Sequence, residues 1–358
     1  MKSQSLKNII PHSKPTLGQE EIEAVSKVIS SGQIAQGEVT LEFERAFASF
    51  IGSQYAASTS SGTAALHLVL MAMGIGQGDE VIIPSYVCTA LLNAVYYVGA
   101  VPVIADICPE TFNICPEHVK KLITPAARAL IVPHMFGLAA DMDVFLSLGV
   151  PVIEDCAQAV GSLYNREKNG SLGHAAIFSF YATKMMTTGE GGMIVSGSKS
   201  LIERIKDLKN YDNRENNKVR YNYKMTDMQA AMGLVQLKKL PEFIKRRKAV
   251  ACLYDKGFSG FGLQIPALSS DHIYYRYVIR TENNIQDCIL KLDKKGIHCA
   301  RPVFLPIHRL LKLKVPQNRI YNTDKAWKQA LSIPVYPSLL DHDVEKVIEA
   351  VLQILHNY

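Results

Sequence analysis

Residues 129–155, ALIVPHMFGLAADMDVFLSLGVPVIED, decide the fold class. Two short apolar runs, Ala129 to Pro133 and Val152-Ile153-Glu154-Asp155, read as strands, and the spacing near Asp143 to Leu148 between them reads as a helix. The same rhythm extends outward. Glu80 to Pro84 and Pro102 to Asp106 are further short strands, with the helical run Ala90 to Tyr97 between them. Upstream, Glu20 to Ser30 and Val39 to Phe50 carry apolar residues at helical spacing, and Ser60-Ser61-Gly62-Thr63 opens a small-residue helical run, Ala64 to Met73. This alternation predicts an α/β fold with a mostly parallel central sheet, flanked by helices and buried on both faces.

From about Pro241 the texture changes. A Lys/Arg-rich helix, Ile244 to Tyr254, is followed by a strand, Tyr274 to Thr281, and a helix, Ile285 to Gly296. The 358 residues therefore divide into a large domain over 1–240 and a smaller C-terminal α/β domain over 241–358 with its own sheet. Apolar residues at 48% and charged residues at 20% exclude disordered, collagen-like and disulfide-dense chains. No apolar stretch approaches the ~20 residues of a membrane-spanning helix. Met1 to Pro15 lacks the apolar core of a secretory signal, so the expectation is a cytoplasmic protein without a membrane partner. Seven scattered cysteines with no C-x-x-C pair argue against a disulfide framework and a zinc site, and no metal is expected. The formal charge is +6, but basic residues are interleaved with acids, which speaks against nucleic acid and suits a small anionic ligand.

Three features carry chemistry. Ser60-Ser61-Gly62-Thr63-Ala64 precedes a helix, where free amides and the helix dipole suit an anion, although Ser and Thr there more often act as simple N-caps. Asp155 closes an apolar strand, the place where ligands of open α/β sheets lie, and a carboxylate there pairs with a protonated ring nitrogen. The run Ala176-Ile177-Phe178-Ser179-Phe180-Tyr181-Ala182-Thr183-Lys184 ends an aromatic strand in a lysine, and partial burial there lowers an amine pKa and makes a Schiff-base nucleophile. In this order, phosphate turn, strand-end acid and lysine read as a pyridoxal phosphate site.

These motifs, together with Pro133 to Gly137, Asp141-Met142-Asp143, Ile153 to Ala159, Gly189-Glu190-Gly191-Gly192, Tyr221 to Ala231, Pro306-Ile307-His308 and Pro334 to Pro337, resemble the DegT/DnrJ/StrS family. Its members are nucleotide-sugar aminotransferases with the aspartate-aminotransferase fold, fold type I of the pyridoxal phosphate enzymes. The resemblance implies pyridoxal 5′-phosphate held as a covalent internal aldimine on Lys184, which also moves the proton between cofactor and substrate. It implies that Asp155 keeps the pyridine nitrogen protonated and that Gln158 addresses the 3-hydroxyl. The Gly62, Thr63 and Ala64 amides and the Ser179 hydroxyl would bind the phosphate. Asn222 would reach the phosphate from a neighbouring subunit, which implies a homodimer with shared active sites. The implied substrates are L-glutamate and a keto-deoxysugar nucleotide, in surface polysaccharide or glycoside biosynthesis. Because Lys184 stands where sugar dehydratases of the family have histidine, transamination is expected.

Two positions depart from the family pattern. Cys88 stands where an aromatic residue usually stacks on the cofactor, and Lys224 where arginine is frequent, giving a point charge in place of a planar fork. The alternatives are amination of a cyclitol or other non-nucleotide ketone, and a non-catalytic regulator that binds pyridoxal phosphate; a regulator would not need Lys184, Asp155 and the phosphate turn all intact. Gly74-x-Gly76-x-Gly78 follows a helix and reads as a turn. His134, His174 and His308 read as core, loop or substrate contacts, and Lys245-Arg246-Arg247-Lys248 as a solvated helix face. Arg214, Lys218 and Arg220 are candidate contacts for a substrate diphosphate.

Overall fold

Strands that are apolar on both sides need cover on both sides, and the chain supplies it by alternating strand and helix. The computed structural model describes residues 9–266, 269–313 and 319–355; residues 1–8, part of the stretch read as lacking a secretory signal, lie outside them. Helices α1 (Gln19–Ser31) and α2 (Glu38–Ile51) lead into β1 (Tyr55–Thr59), α3 (Gly62–Ala72), β2 (Glu80–Pro84), α4 (Ala90–Tyr97) and β3 (Val101–Ala105). Then come α5 (Pro116–Leu122), β4 (Ala127–Pro133), α6 (Met142–Leu146), β5 (Val152–Asp155) and a small ladder of β6 (Leu163–Tyr164) with β7 (Glu167–Lys168). β8 (Ala175–Ser179), β9 (Gly192–Ser196), α7 (Lys199–Leu208) and the long α8 (Asp227–Phe258) follow. The remainder holds β10 (Tyr277–Arg280), α9 (Ile285–Lys294), α10 (Ile307–Leu310), α11 (Tyr321–Gln329), β11 (Ala330–Ile333) and α12 (Asp341–Leu355).

Seven strands form one sheet in the order β1-β9-β8-β5-β4-β2-β3. Within it β9 runs antiparallel to both neighbours and the other pairings are parallel. Along β4 the side chains alternate between two cores: Ala129 and Ile131 join Val81, Ile83 and Ile153, whereas Leu130 and Val132 join Ile82, Val152 and Phe145. β10 and β11 form a separate antiparallel pair whose core includes Tyr254, Phe258, Tyr277, Ile333 and Val347. Ile10 packs into this second core, with its N–H on the Gly296 carbonyl at 2.8 Å. No helix among the described residues is long and apolar enough to cross a membrane.

Two readings are corrected. The basic helix begins at Asp227, not Ile244, and runs unbroken through Pro241. A capping box sets its start: the Thr226 hydroxyl accepts from the Gln229 N–H at 3.3 Å, and Gln229 Oε1 accepts from the Thr226 N–H at 2.9 Å. Pro241 removes one helical hydrogen bond, but packing of Leu237 and Leu240 before it and Val250 and Tyr254 after it holds the helix together. Nor is the basic run a uniformly solvated face. Lys245 is exposed, but Arg247 is 3% exposed and donates through Nη1 to the carbonyls of Tyr274, Tyr275 and Val335, because helical periodicity turns it inward.

A buried ion pair fastens the β1 edge of the sheet. Glu44 on α2 accepts from the Ser58 N–H and hydroxyl, both at 2.8 Å, and meets Lys209 at 3.2 Å and Lys206 at 3.1 Å. Lys209, buried, also donates to the Ser58 carbonyl at 2.7 Å, so α2, β1 and the end of α7 share one knot. Lys209→Met leaves Glu44 buried with only the outer Lys206, and should cost about 3 kcal/mol in denaturant unfolding. Adding Glu44→Gln should recover part of that loss, since the stranded charge is then removed.

Candidate active site

β5 delivers Asp155 to the carboxyl end of the parallel strands, between the ends of β4 and β8. Its Oδ1 accepts the Ala157 N–H at 3.0 Å, and no protein donor reaches Oδ2 among the described residues. Burial pushes this carboxyl up from the usual range, while the Ala157 N–H and the charges of Lys184 and His134 pull it back. A buried carboxylate with one free oxygen calls for a cationic N–H donor. Gln158 is held the right way round to help seat a ring. Its Oε1 accepts the Phe136 N–H at 2.9 Å, so its amide nitrogen is left as a donor.

The second half of the site is where α3 meets β8. Ser61 caps α3 with its hydroxyl on the Ala64 N–H at 3.1 Å, so that amide already has an acceptor, whereas the Gly62 and Thr63 amides have none among the described residues. A Cβ on Gly62 would fall 2.9 Å from Ser179 Cβ; only glycine lets the Ser179 hydroxyl come so close to the first turn. Two free amides and a hydroxyl thus form a cradle that a phosphate would fill.

Lys184 lies on the loop joining β8 to β9, its N–H on the Tyr181 carbonyl at 2.9 Å and its side chain half-buried. Its charge is felt at Asp155, at Cys88 and at Tyr275. Cys88 thus feels the charges of both the lysine and the acid. The residue reaches solvent on one side, but surrounding protein crowds its thiol; that desolvation raises the thiol pKa, Lys184 lowers it and Asp155 raises it further. Asn222 is exposed, its sequence neighbours Tyr221 and Tyr223 stack on each other, and the Tyr223 carbonyl accepts the Ser60 N–H at 2.9 Å beside the cradle. Asn222 makes no hydrogen bond to the other candidate residues among those described.

Other candidates have structural partners. Arg220 holds Asp207 through Nη2 at 3.1 Å, Arg214 meets Asp207 at 3.5 Å, and Lys224 meets Asp212 at 3.4 Å, while Lys218 is exposed. His308 lies between the Ser85 hydroxyl at 2.7 Å and Asp324 at 3.2 Å, and His174 is exposed in a loop. His134, Glu154 and Cys156 bring ligand-type atoms within 4.8 Å of one another. The Glu154 oxygens are nonetheless filled by the His134 Nε2–H and the N–H groups of Gly170, Leu172 and Gly173, a closed hydrogen-bond knot.

Sequence reading missed Tyr275. The segment Ile273–Arg276 folds back over residues 136–137, with the Ile273 N–H on the Gly137 carbonyl at 3.1 Å and the Tyr275 N–H on the Phe136 carbonyl at 2.9 Å. It brings the Tyr275 ring to 5.1 Å from Lys184 Nζ. No local pattern signals this, because the contact joins segments far apart in the chain.

With a lysine, a buried half-satisfied acid, an oriented amide donor and an anion cradle gathered at the strand ends, the chain also matches one protein family along residues 15–352. The chain belongs to the DegT/DnrJ/EryC1/StrS aminotransferase family. As a member it is an aminotransferase with the α/β fold of the pyridoxal phosphate enzymes. It is similar to the GDP-perosamine synthase of Caulobacter vibrioides, 36% identical over 364 residues that cover 95% of this chain and 97% of the relative. It is also similar to the spore coat polysaccharide biosynthesis protein SpsC of Bacillus subtilis, 35% identical over 383 residues covering 98% of each. Among solved structures, the putative sugar aminotransferase Spr1654 of Streptococcus pneumoniae in its PMP form superposes with a TM-score of 0.91 at 26% identity, covering 97% of this chain and 98% of that one. The same protein is known in a PLP form.

Burial alone would raise the Tyr275 phenol pKa. The charges of Lys184 and Arg276, a hydrogen bond from Thr183 and the charge of Arg247 outweigh it and bring the pKa down to about 8. Ultraviolet difference titration of the cofactor-free protein should therefore show one tyrosine ionising near pH 8, and Tyr275→Phe should remove that step.

Proposed function

We propose that this aminotransferase uses pyridoxal 5′-phosphate to move the amino group of L-glutamate to the keto group of a nucleotide-linked deoxysugar, in polysaccharide biosynthesis. The observation that carries the reading is the Asp155 carboxylate, buried next to Lys184 with one oxygen lacking a protein donor. The residues fit the cofactor. Asp155 would face the ring nitrogen, the Gln158 amide the 3-oxygen, and the Gly62 and Thr63 amides with the Ser179 hydroxyl the phosphate; Ala64 would contribute there while its N–H also serves the Ser61 cap. When bound, the cofactor supplies a ring that carries the amino group and spreads the electron pair left when a C–H bond breaks.

Lys184 would hold the cofactor through its amine and, once that amine is free, would take the proton from the donor's α-carbon and return it at C4′. Asp155 would keep the ring nitrogen protonated through these transfers. Asn222, exposed on this chain, reaches the phosphate of a second copy in a homodimer with shared sites. The large domain over 1–240 carries the cofactor residues, the small domain over 241–358 carries Tyr275, and α8 belongs to both cores. The working place is the cytoplasm, where sugar nucleotides are made.

The relatives, a GDP-perosamine synthase and a spore coat polysaccharide biosynthesis protein, support the sugar acceptor. Adding L-glutamate to protein reconstituted with pyridoxal phosphate should bleach the yellow band and leave the pyridoxamine form. Lys184→Ala should keep the melting transition and fall below about 0.1% of wild-type turnover. Turnover near wild type in that variant rejects the lysine's role, and a band unmoved by glutamate rejects the donor.

A further inference from the structure

Tyr275 is fixed on every side. Gly137, at φ +92°, lies so close beneath the 273–275 segment that a Cβ there would be 2.7 Å from Ile273 Cγ1 and 3.1 Å from the Tyr275 nitrogen. The buried Arg247 holds the carbonyls of Tyr274 and Tyr275 from α8. The Tyr275 hydroxyl accepts from Arg276 Nη2 at 3.4 Å. Arg276 is itself steadied by His12, 2.7 Å from Nη1, and its guanidinium carbon lies 4.9 Å from the Tyr275 ring. The ring therefore keeps one orientation, and Lys184 Nζ approaches it at 5.1 Å.

The lysine, in contrast, is half-exposed, on a four-carbon stem in a loop, and among the described residues its amine has no carboxylate within salt-bridge distance. An amine that is alternately bound and released needs something to keep it at the site while it is free. A fixed aromatic ring does this by attracting the cation without forming a hydrogen bond that would have to break.

We propose that Tyr275 is a positioning residue for Lys184, its ring retaining the lysine's amine in the site whenever that amine is not covalently engaged. The proposal rests on the aminotransferase reading for its purpose, but the hold itself exists without cofactor or substrate. Arg276 orients the ring through its hydroxyl, and Arg247 fixes its backbone. Neither replaces the ring.

The test uses cofactor-free full-length protein treated with a limiting amount of an amine-acylating reagent, with labelling of the Lys184 peptide measured by mass spectrometry against the exposed Lys245. Tyr275→Leu and Tyr275→Met should raise Lys184 labelling about tenfold relative to wild type, while Tyr275→Phe, which keeps the ring, should stay within about twofold. Lys245 labelling and the melting transition report whether each variant is folded, and two ring-removing variants guard against one failing to fold. Equal Lys184 labelling in wild type and a folded ring-removing variant overturns the proposal. So does a rise in Tyr275→Phe as large as in the leucine variant, because the hydroxyl and not the ring would then hold the amine. With reconstituted enzyme, ring removal should lower kcat and leave KM for the donor unchanged. Were the aminotransferase reading wrong, the labelling difference would remain and only this kinetic effect would vanish.

Discussion

A carboxylate buried at the end of a strand is costly unless its oxygens are satisfied, and among the described residues Asp155 finds a donor at only one of them. Everything else in the site is arranged around that unfinished pairing. β5 lies between β4 and β8, so the same strand ends that bury Asp155 also present Gln158 through the Phe136 turn and Ser179 through β8. In the function proposed here the missing partner is the cofactor, whose protonated ring nitrogen would complete the hydrogen bonding and the charge together. Binding would thereby satisfy a group that the protein leaves half-paired.

Residues 135–137 link the large sheet to the 273–275 segment at this centre. The Asn113 side chain accepts the Met135 N–H at 2.7 Å, the Phe136 N–H goes to Gln158 and its carbonyl to Tyr275, and the Gly137 carbonyl takes Ile273. Phe136 itself has φ +59°, a left-handed conformation uncommon outside glycine that turns its N–H and carbonyl to serve both partners. A loop that binds the cofactor side through one group and the C-terminal part through the next is well placed to keep their relative geometry fixed.

The legibility of this protein in its sequence followed the range of the interactions. Short apolar strands and the amphipathic helices around them are set by neighbours a few residues away, and β2, α4 and β5 have the bounds that periodicity predicts. Asp155 closes a strand and Gly62 opens a helix, both set by local pattern, whereas Lys184 lies on the loop after β8 and not at a strand end. The start of α8 is encoded locally by the capping box Thr226-x-x-Gln229, while Pro241 and the charge run after it resemble a second helix start. Arg247 and Tyr275 were not legible. One is buried by carbonyls from residues 274, 275 and 335, and the other reaches Lys184 only because a distant segment folds back over Gly137. Ser61 shows a subtler limit: the hydroxyl that makes the turn a helix start also occupies one of the amides a phosphate would use.

In the function proposed here Lys184 is the covalent seat of the cofactor near Asp155. Borohydride reduction of the protein reconstituted with pyridoxal phosphate, followed by peptide mass spectrometry, should find one pyridoxyl group per chain, on the peptide that contains Lys184. That label should be lost when Asp155→Ala weakens the seat. A label spread over surface lysines, or fixed on another residue, would contradict it.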